Sequence, residues 1–158
     1  MEVRRVRAEE WQELRDVRLR ALADAPDAFG TTHTEATARP ECWWKDWTAD
    51  SADGTAQAMF LAWEGAEAVG IAGAFGDDRR IDVISMWTDP AHRGRGVASA
   101  LLDAAIEFAG GAAVYLSVTE SNDAARRLYE RRGFSPTGLT EPLRSNAALL
   151  IHELRLVR

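Results

Sequence analysis

Apolar residues along this chain follow two rhythms, and the switches between them mark out its elements. Val3 and Val6 in "EVRRVR" fit a short first strand. From about Ala8 to Ala25, Trp11, Leu14, Val17, Arg18 and Ala21 recur near helical spacing, and Pro26 closes the pattern. "DAFGTTHTEATARPECWWKDW" is mixed, with Gly30 and Pro40 as breakers and a short helix expected around Cys42 to Thr48. "QAMFLAWEGAEAVGIAGAFGD" reads as two strands joined at Glu64–Ala66, a hairpin. "RRIDVISMWTD" is a further strand, stopped by Pro90. Val97, Leu101, Ala104, Ala105 and Phe108 form one helical stripe that ends before Gly110 and Gly111. "AAVYLSVT" is mostly apolar, as a strand covered on both faces would be. Asn122 to Arg132 carries Ala125, Leu128 and Tyr129 on one side and stops at Gly133. Phe134–Thr140 and Ala147–Val157 read as the last two strands.

The expected order is therefore β-α-α-β-β-β-α-β-α-β-β. It implies an α/β (α+β) domain with a mixed, mostly antiparallel sheet of about seven strands and about four flanking helices. One β-α-β crossover runs from Arg80–Thr88 to Ala113–Thr119. No repeat or low-complexity linker divides the chain, and 158 residues fit a single domain, 1–158.

Composition removes whole classes of function. A formal net charge of −6 gives no general attraction to nucleic acid or to an anionic membrane. Cys42 is the only cysteine, which excludes an internal disulfide framework and a cysteine-based metal site. His33 and His152 stand apart, so no metal cluster is expected. The first residues lack an apolar run of roughly 7–15 residues of the secretory type. No segment reaches the roughly 18 apolar residues of a membrane span. A soluble, cytoplasmic domain is the expectation.

The stretch "TDPAHRGRGVASALLDAAIEFA" carries the chemistry. The first turn of a helix has backbone N–H groups without intrahelical partners, and its dipole favours an anion. Gly94 and Gly96 let the backbone bend and approach a ligand without obstruction by Cβ. Arg93 and Arg95 are placed to add charge-assisted hydrogen bonds to phosphate oxygens, and the small Ala98 keeps the approach open. The turn reads as a pyrophosphate cradle. No G-x-x-x-x-G-K-[ST] run is present, which excludes a P-loop.

"RGRGVA", Arg93 to Ala98, resembles the R/Q-x-x-G-x-G/A signature of the GNAT family of N-acetyltransferases. "NDAARRLYERRGF", Asn122 to Phe134, resembles the same family's N-x-x-A-x-x-L-Y-x-x-x-G-F element at every named position. The order of elements agrees over nearly the whole chain. The resemblance implies transfer of an acetyl group from acetyl-CoA to a primary amine, by direct attack in a ternary complex and without a metal. It assigns the pyrophosphate to the backbone of Arg93, Gly94, Arg95, Gly96, Val97 and Ala98. The pantetheine arm would lie along Met86, Trp87 and Thr88, in a gap between diverging strands, with Asn122 bonding the arm. A backbone N–H near Met86 or Trp87 would hold the thioester carbonyl. Tyr129 would face the sulfur and is the candidate to protonate the departing thiolate; as Leu128 and Tyr129 also sit on the core side of their helix, the alternative is a core or CoA-contacting residue.

A Lys-like amine of pKa about 10.4 must lose a proton before it attacks, so a base is needed. Strand alternation puts Asp82 on one face with Ile84, Met86 and Thr88. The resemblance, in whose histone-acetylating members a carboxylate at a similar place on this strand is the base, makes Asp82 the candidate. Its other reading is a solvated residue at the start of the strand. Glu35 and Glu120 are weaker candidates, and a water chain is a further alternative. The resemblance implies an acceptor pocket walled by Asp27–Trp47 and about Gly138–Asn146. Phe29, Trp43, Trp44 and Trp47 either form an aromatic wall there or, for at least two of the tryptophans, pack a helix onto the sheet. The acceptor is expected to be a small-molecule amine. A protein N-terminal or lysine acetyltransferase and a non-catalytic acyl-CoA-binding module are the alternatives. Homodimers are frequent in the family, and the terminal "ALLIHELRLV" would supply the edge for one.

Overall fold

A computed structural model describes residues 1–158. Strand β1 (Glu2–Arg5) leads through a 3-10 turn at Ala8–Glu10 into helix α1 (Trp11–Asp24). Two helices follow, α2 (His33–Thr37) and α3 (Glu41–Asp53). Next come β2 (Gln57–Glu64), β3 (Glu67–Gly76), β4 (Arg80–Thr88), α4 (Val97–Ala109), β5 (Ala113–Thr119), α5 (Asp123–Arg132), β6 (Phe134–Leu143) and β7 (Asn146–Leu156). The element absent from the sequence reading is α2. Its start is nonetheless written in the chain as a capping box, in which Thr32 Oγ1 accepts from Glu35 N–H and Glu35 accepts from Thr32 N–H, each at 3.1 Å. Helix α3 also runs further at both ends than Cys42 to Thr48.

The seven strands form one sheet in the order β1-β2-β3-β4-β5-β7-β6. Every neighbouring pair is antiparallel except β4 and β5, the pair joined by the α4 crossover. Strand β7 therefore lies inside the sheet, between β5 and β6, and not at its edge; the open edge at that end is β6.

Helices cover both faces, which is why β2 and β3 are apolar almost throughout. Met59, Leu61 and Trp63 point to the side of α1 and α3, where they join Leu14, Val17, Trp44 and Ile71. The alternate residues Ala58, Phe60 and Ala62 meet Val97 and Leu101 of α4 on the other side. Trp44 is fully buried, and Trp43 stacks on Trp47 at 5.3 Å, so these tryptophans hold α3 to the domain. No helix is long and apolar enough to cross a membrane.

Two features of β4 position the site. Its register with β5 covers only Arg80–Ala113, Ile81–Val114 and Asp82–Tyr115. Past Asp82 the strands separate, and β5 goes on pairing with β7 as far as Thr119. One backbone edge of β4 is thus left without a ladder partner inside the sheet. The second feature is a bulge. Gly73 faces Ile84 and Ile71 faces Trp87, so Ser85 and Met86 together oppose Ala72. Ser85 has φ of 59°, the only non-glycine residue with positive φ. Backbone of that kind persists where the surrounding structure holds it.

Candidate active site

The bulge corrects the expectation of a shared face for Asp82, Ile84, Met86 and Thr88. Two residues, Ser85 and Met86, lie between Ile84 and Trp87 where regular pairing would put one, so alternation breaks between them. Asp82, Ile84 and Trp87 lie on the side of α1 and α3, and Trp87 packs into that core. Met86 packs against the core beneath α4, and Thr88 sits opposite Gly70, where an added Cβ would meet Leu101 and Val97 of α4.

Two clefts follow from this arrangement. One, of about 670 Å³, is lined by Met86, Trp87, Thr88, the turn residues Arg93, Gly94 and Gly96 to Ala98, and the α5 face bearing Leu128 and Tyr129. The other, of about 590 Å³, is lined by Asp82 to Met86, Leu116 to Thr119, Arg18, Phe29 and Glu141 to Arg144. They meet where β4 and β5 part: Ala28, Met86, Thr119, Asn122, Ala125 and Tyr129 line both.

The first cleft fits an acyl-CoA. Gly94 and Gly96 have φ of 76° and 80°, the left-handed region that favours glycine, and open space lies where a Cβ would stand. Gly96 is the N-cap of α4 and its first turn receives no side-chain cap, so the leading N–H groups are left for a ligand. Thr88 Oγ1 is buried in this cleft without a hydrogen-bond partner. Asn122 Oδ1 caps α5 by accepting from Ala125 N–H at 3.2 Å, which leaves the amide NH₂ to donate elsewhere.

The arginines of the turn behave differently from the expectation. Arg93, on the lining of the first cleft, is already bonded to the protein itself: Nη2 donates to Asp24 Oδ2 at 2.7 Å and Nε to Thr88 O at 3.0 Å. Asp24 also accepts from Trp87 Nε1 at 2.9 Å. Arg93 thus fixes the end of β4 against α1, while Arg95 is exposed and lines neither cleft. Arg131 of α5, which sequence reasoning missed, does line the first cleft.

Tyr129 is 5 % exposed and packs edge-on against Phe134 at 6.1 Å. Burial alone pushes its phenol well above the ordinary value, so the group keeps its proton throughout the neutral range. Asp82 gives both oxygens to Arg80, at 2.9 and 3.1 Å, and Arg80 also donates to Glu153 at 2.9 Å.

The two segments expected to wall the acceptor pocket do meet. Arg144 donates to Gly30 O at 2.8 Å and grips Glu35 through both oxygens, at 2.8 and 2.7 Å. Ser145 Oγ donates to Phe29 O at 2.6 Å. The Arg144 guanidinium, with the Thr32 N–H, holds the Glu35 carboxyl down to about 2, which makes it a poor candidate base. Of the aromatic residues proposed for this wall only Phe29 is present; Trp43, Trp44 and Trp47 line neither cleft. No three His, Cys, Asp or Glu side chains converge in the fold.

A fold with a splayed β4–β5 pair and a glycine turn opening α4 defines a class, and the comparisons place the chain in it. The model of the acetyltransferase (GNAT) family matches residues 11–134, and the chain belongs to that family. It is 45 % identical over 58 residues to the N-alpha-acetyltransferase RimI of Mycobacterium tuberculosis, a stretch covering 37 % of each chain. An uncharacterized N-acetyltransferase of the same organism is 33 % identical over 66 residues, 40 % of this chain and 42 % of that one. The matches thus span well under half the length of these relatives. Among solved structures, a GNAT acetyltransferase from Streptococcus pneumoniae superposes with a TM-score of 0.83 at 19 % identity, over 98 % of this chain and 97 % of that one. An acetyltransferase from Salmonella typhimurium, solved with its cofactor acetyl-CoA, gives 0.78 at 20 % identity, over 99 % and 92 %.

Proposed function

We propose that the protein is an acetyl-CoA-dependent N-acetyltransferase acting on the primary amine of a small molecule. The observation that carries this reading is the junction of two clefts at the parting of β4 and β5, with Tyr129 at the meeting point. A donor entering from the α4 side and an acceptor entering from the other are held together there, so transfer is direct and within a ternary complex.

Bound acetyl-CoA supplies an activated acetyl thioester. The protein's own groups do the rest. The backbone from Arg93 to Ala98 binds the pyrophosphate, with Gly94 and Gly96 giving close approach and the α4 N-terminus giving the field. The free edge of Met86, Trp87 and Thr88 takes the pantetheine amides as a neighbouring strand would, and Asn122 donates its NH₂ to the same arm. A β4 N–H at the bulge is aimed where negative charge develops on the acyl oxygen. Tyr129, protonated and without a hydrogen-bond partner of its own, donates to the departing sulfur. Asp82 takes the acceptor's proton by exchanging Arg80 for the ammonium group, while Glu153 keeps Arg80 from leaving.

A second reading has one observation in its favour, the local 45 % identity to an N-alpha-acetyltransferase, which points to the α-amino group of a peptide. The bonds from Arg144 and Ser145 to the Phe29–Glu35 segment tie the acceptor walls together, which favours a compact acceptor. The homodimer expected of the family has β6 or β1 as an open edge, and a monomeric mass in light scattering at micromolar concentration would remove it. The function itself is tested by CoA release from acetyl-CoA against a panel of amino acids, polyamines, aminoglycosides and peptides. Release that depends on an amine supports the reading; tight acetyl-CoA binding with no amine-dependent release makes the protein a binding module.

A further inference from the structure

The acceptor cleft contains one cation for which the protein provides no counter-ion. Arg18 lies on the inward stripe of α1 and reaches the cleft lining beside Phe29, with its guanidinium 4.9 Å from the centre of that ring. Its Nη1 is fully enclosed and has no hydrogen-bond partner. No carboxylate forms an ion pair with it, and the charge that acts on it is another guanidinium, Arg39, which lies 3.9 Å over Trp43. Burial, with the like charge of Arg39, lowers Arg18 to about 10, so it remains a cation at neutral pH.

Two of the three carboxylates around this cleft are already engaged, and none pairs with Arg18. Asp82 is held by Arg80 and Glu35 by Arg144. Glu141 is exposed on β6. A buried charge with no partner is costly, and proteins seldom keep one for packing alone. A guanidinium also has a planar fork of donors suited to a carboxylate. Its contact with the face of Phe29 uses none of its N–H donors.

We infer that the acceptor is an amine that also bears a carboxylate, of the amino-acid type, and that Arg18 binds that carboxylate and sets acceptor specificity. This rests on the acetyl-transfer reading above and names its substrate class. The ammonium of such a zwitterion belongs at the neck beside Met86 and Tyr129, with Asp82 on the cleft wall, and its carboxylate at Arg18.

The test compares L-amino acids with their own carboxamides, both as acetyl acceptors and as ligands in equilibrium binding to the CoA-loaded protein. The carboxamide has the less basic amine and so more free base at neutral pH, which means basicity cannot produce a preference for the acid. The expected result is kcat/KM at least tenfold higher for the acid than for its amide. In Arg18→Met, which keeps the length and removes the charge, that ratio falls at least tenfold, with the loss in acceptor KM. Loss of a merely structural residue would lower activity on acid and amide alike and leave the ratio unchanged. The wild-type ratio stands as a test even where the variant fails to fold. Equal use of acid and amide overturns the inference while leaving acetyl transfer intact. Tighter binding of the acid without any transfer supports the Arg18 site and overturns the enzymatic reading.

Discussion

Asp24 and Arg93, 69 positions apart, are joined by a 2.7 Å ion pair that ties the end of α1 to the turn before α4. The same Asp24 oxygen accepts from the buried indole of Trp87. The pair therefore braces the end of β4, the segment assigned to the pantetheine arm. Asp24→Ala leaves the Trp87 N–H and the Arg93 guanidinium without their acceptor. The expected loss is about 1–3 kcal/mol in denaturant unfolding, most of it from the enclosed indole. Trp87→Phe should cost less in the Asp24→Ala background than in the wild type, since the shared bond is already gone. Strict additivity would separate the two residues.

Gly96 separates charge from backbone strain. Both Gly96→Asn and Gly96→Asp put a side chain at φ of 80°, and both meet open space. Only aspartate adds a negative charge at the α4 N-terminus. In calorimetry Gly96→Asp should weaken acetyl-CoA binding at least tenfold more than Gly96→Asn, with similar melting temperatures. Equal effects would mean that the turn does not hold a phosphate.

Tyr129→Phe keeps the ring against Phe134 and removes only the hydroxyl. General acid–base groups contribute about 10²–10⁴-fold, part of which solvent can recover. A fall in kcat of tenfold or more, with KM for acetyl-CoA and melting temperature nearly unchanged, is the expected signature of a group acting in the transition state. A rise in KM at constant kcat would make Tyr129 a contact of the pantetheine arm instead.

The Glu35–Arg144 clasp has a defined pH window. Its carboxyl is depressed from 4.5 to about 2 in the folded protein, so the unfolded chain binds the proton more readily. The stabilisation is complete above about pH 4.5 and is lost as pH falls toward 2. The difference in unfolding midpoint between wild type and Glu35→Gln should hold from pH 7 to about 5 and shrink below that. Both groups are exposed, so added salt should shrink it as well. A difference that persists at pH 2 would place the effect elsewhere.

Much of the fold could be read because its signals are local. Continuous apolar runs marked strands covered on both sides, and Gly133 and Pro90 marked where elements stop. The glycine turn and Tyr129 were legible for the same reason, since each sits in a short pattern. What escaped depends on contacts far apart in the chain. Nothing near Arg93 announces that Asp24 will hold its side chain. Ser85 gives no residue-type warning of positive φ, and that one residue moves Met86 and Thr88 to the face opposite Asp82. Helix α2 was missed although its capping box stood in the sequence. Arg18 was visible as a charge on an apolar stripe, but its lack of a partner is a property of the folded cleft.

The most direct measurement of the central claim is the rate of CoA thiol release from acetyl-CoA, followed with a thiol-reactive dye, with and without amine, in wild type and Tyr129→Phe. The expected result is release that saturates with amine, is matched mole for mole by acetylated product, and drops at least tenfold in the variant. Release that ignores the amine, or that is equal in the two proteins, would contradict direct transfer at the junction of the clefts.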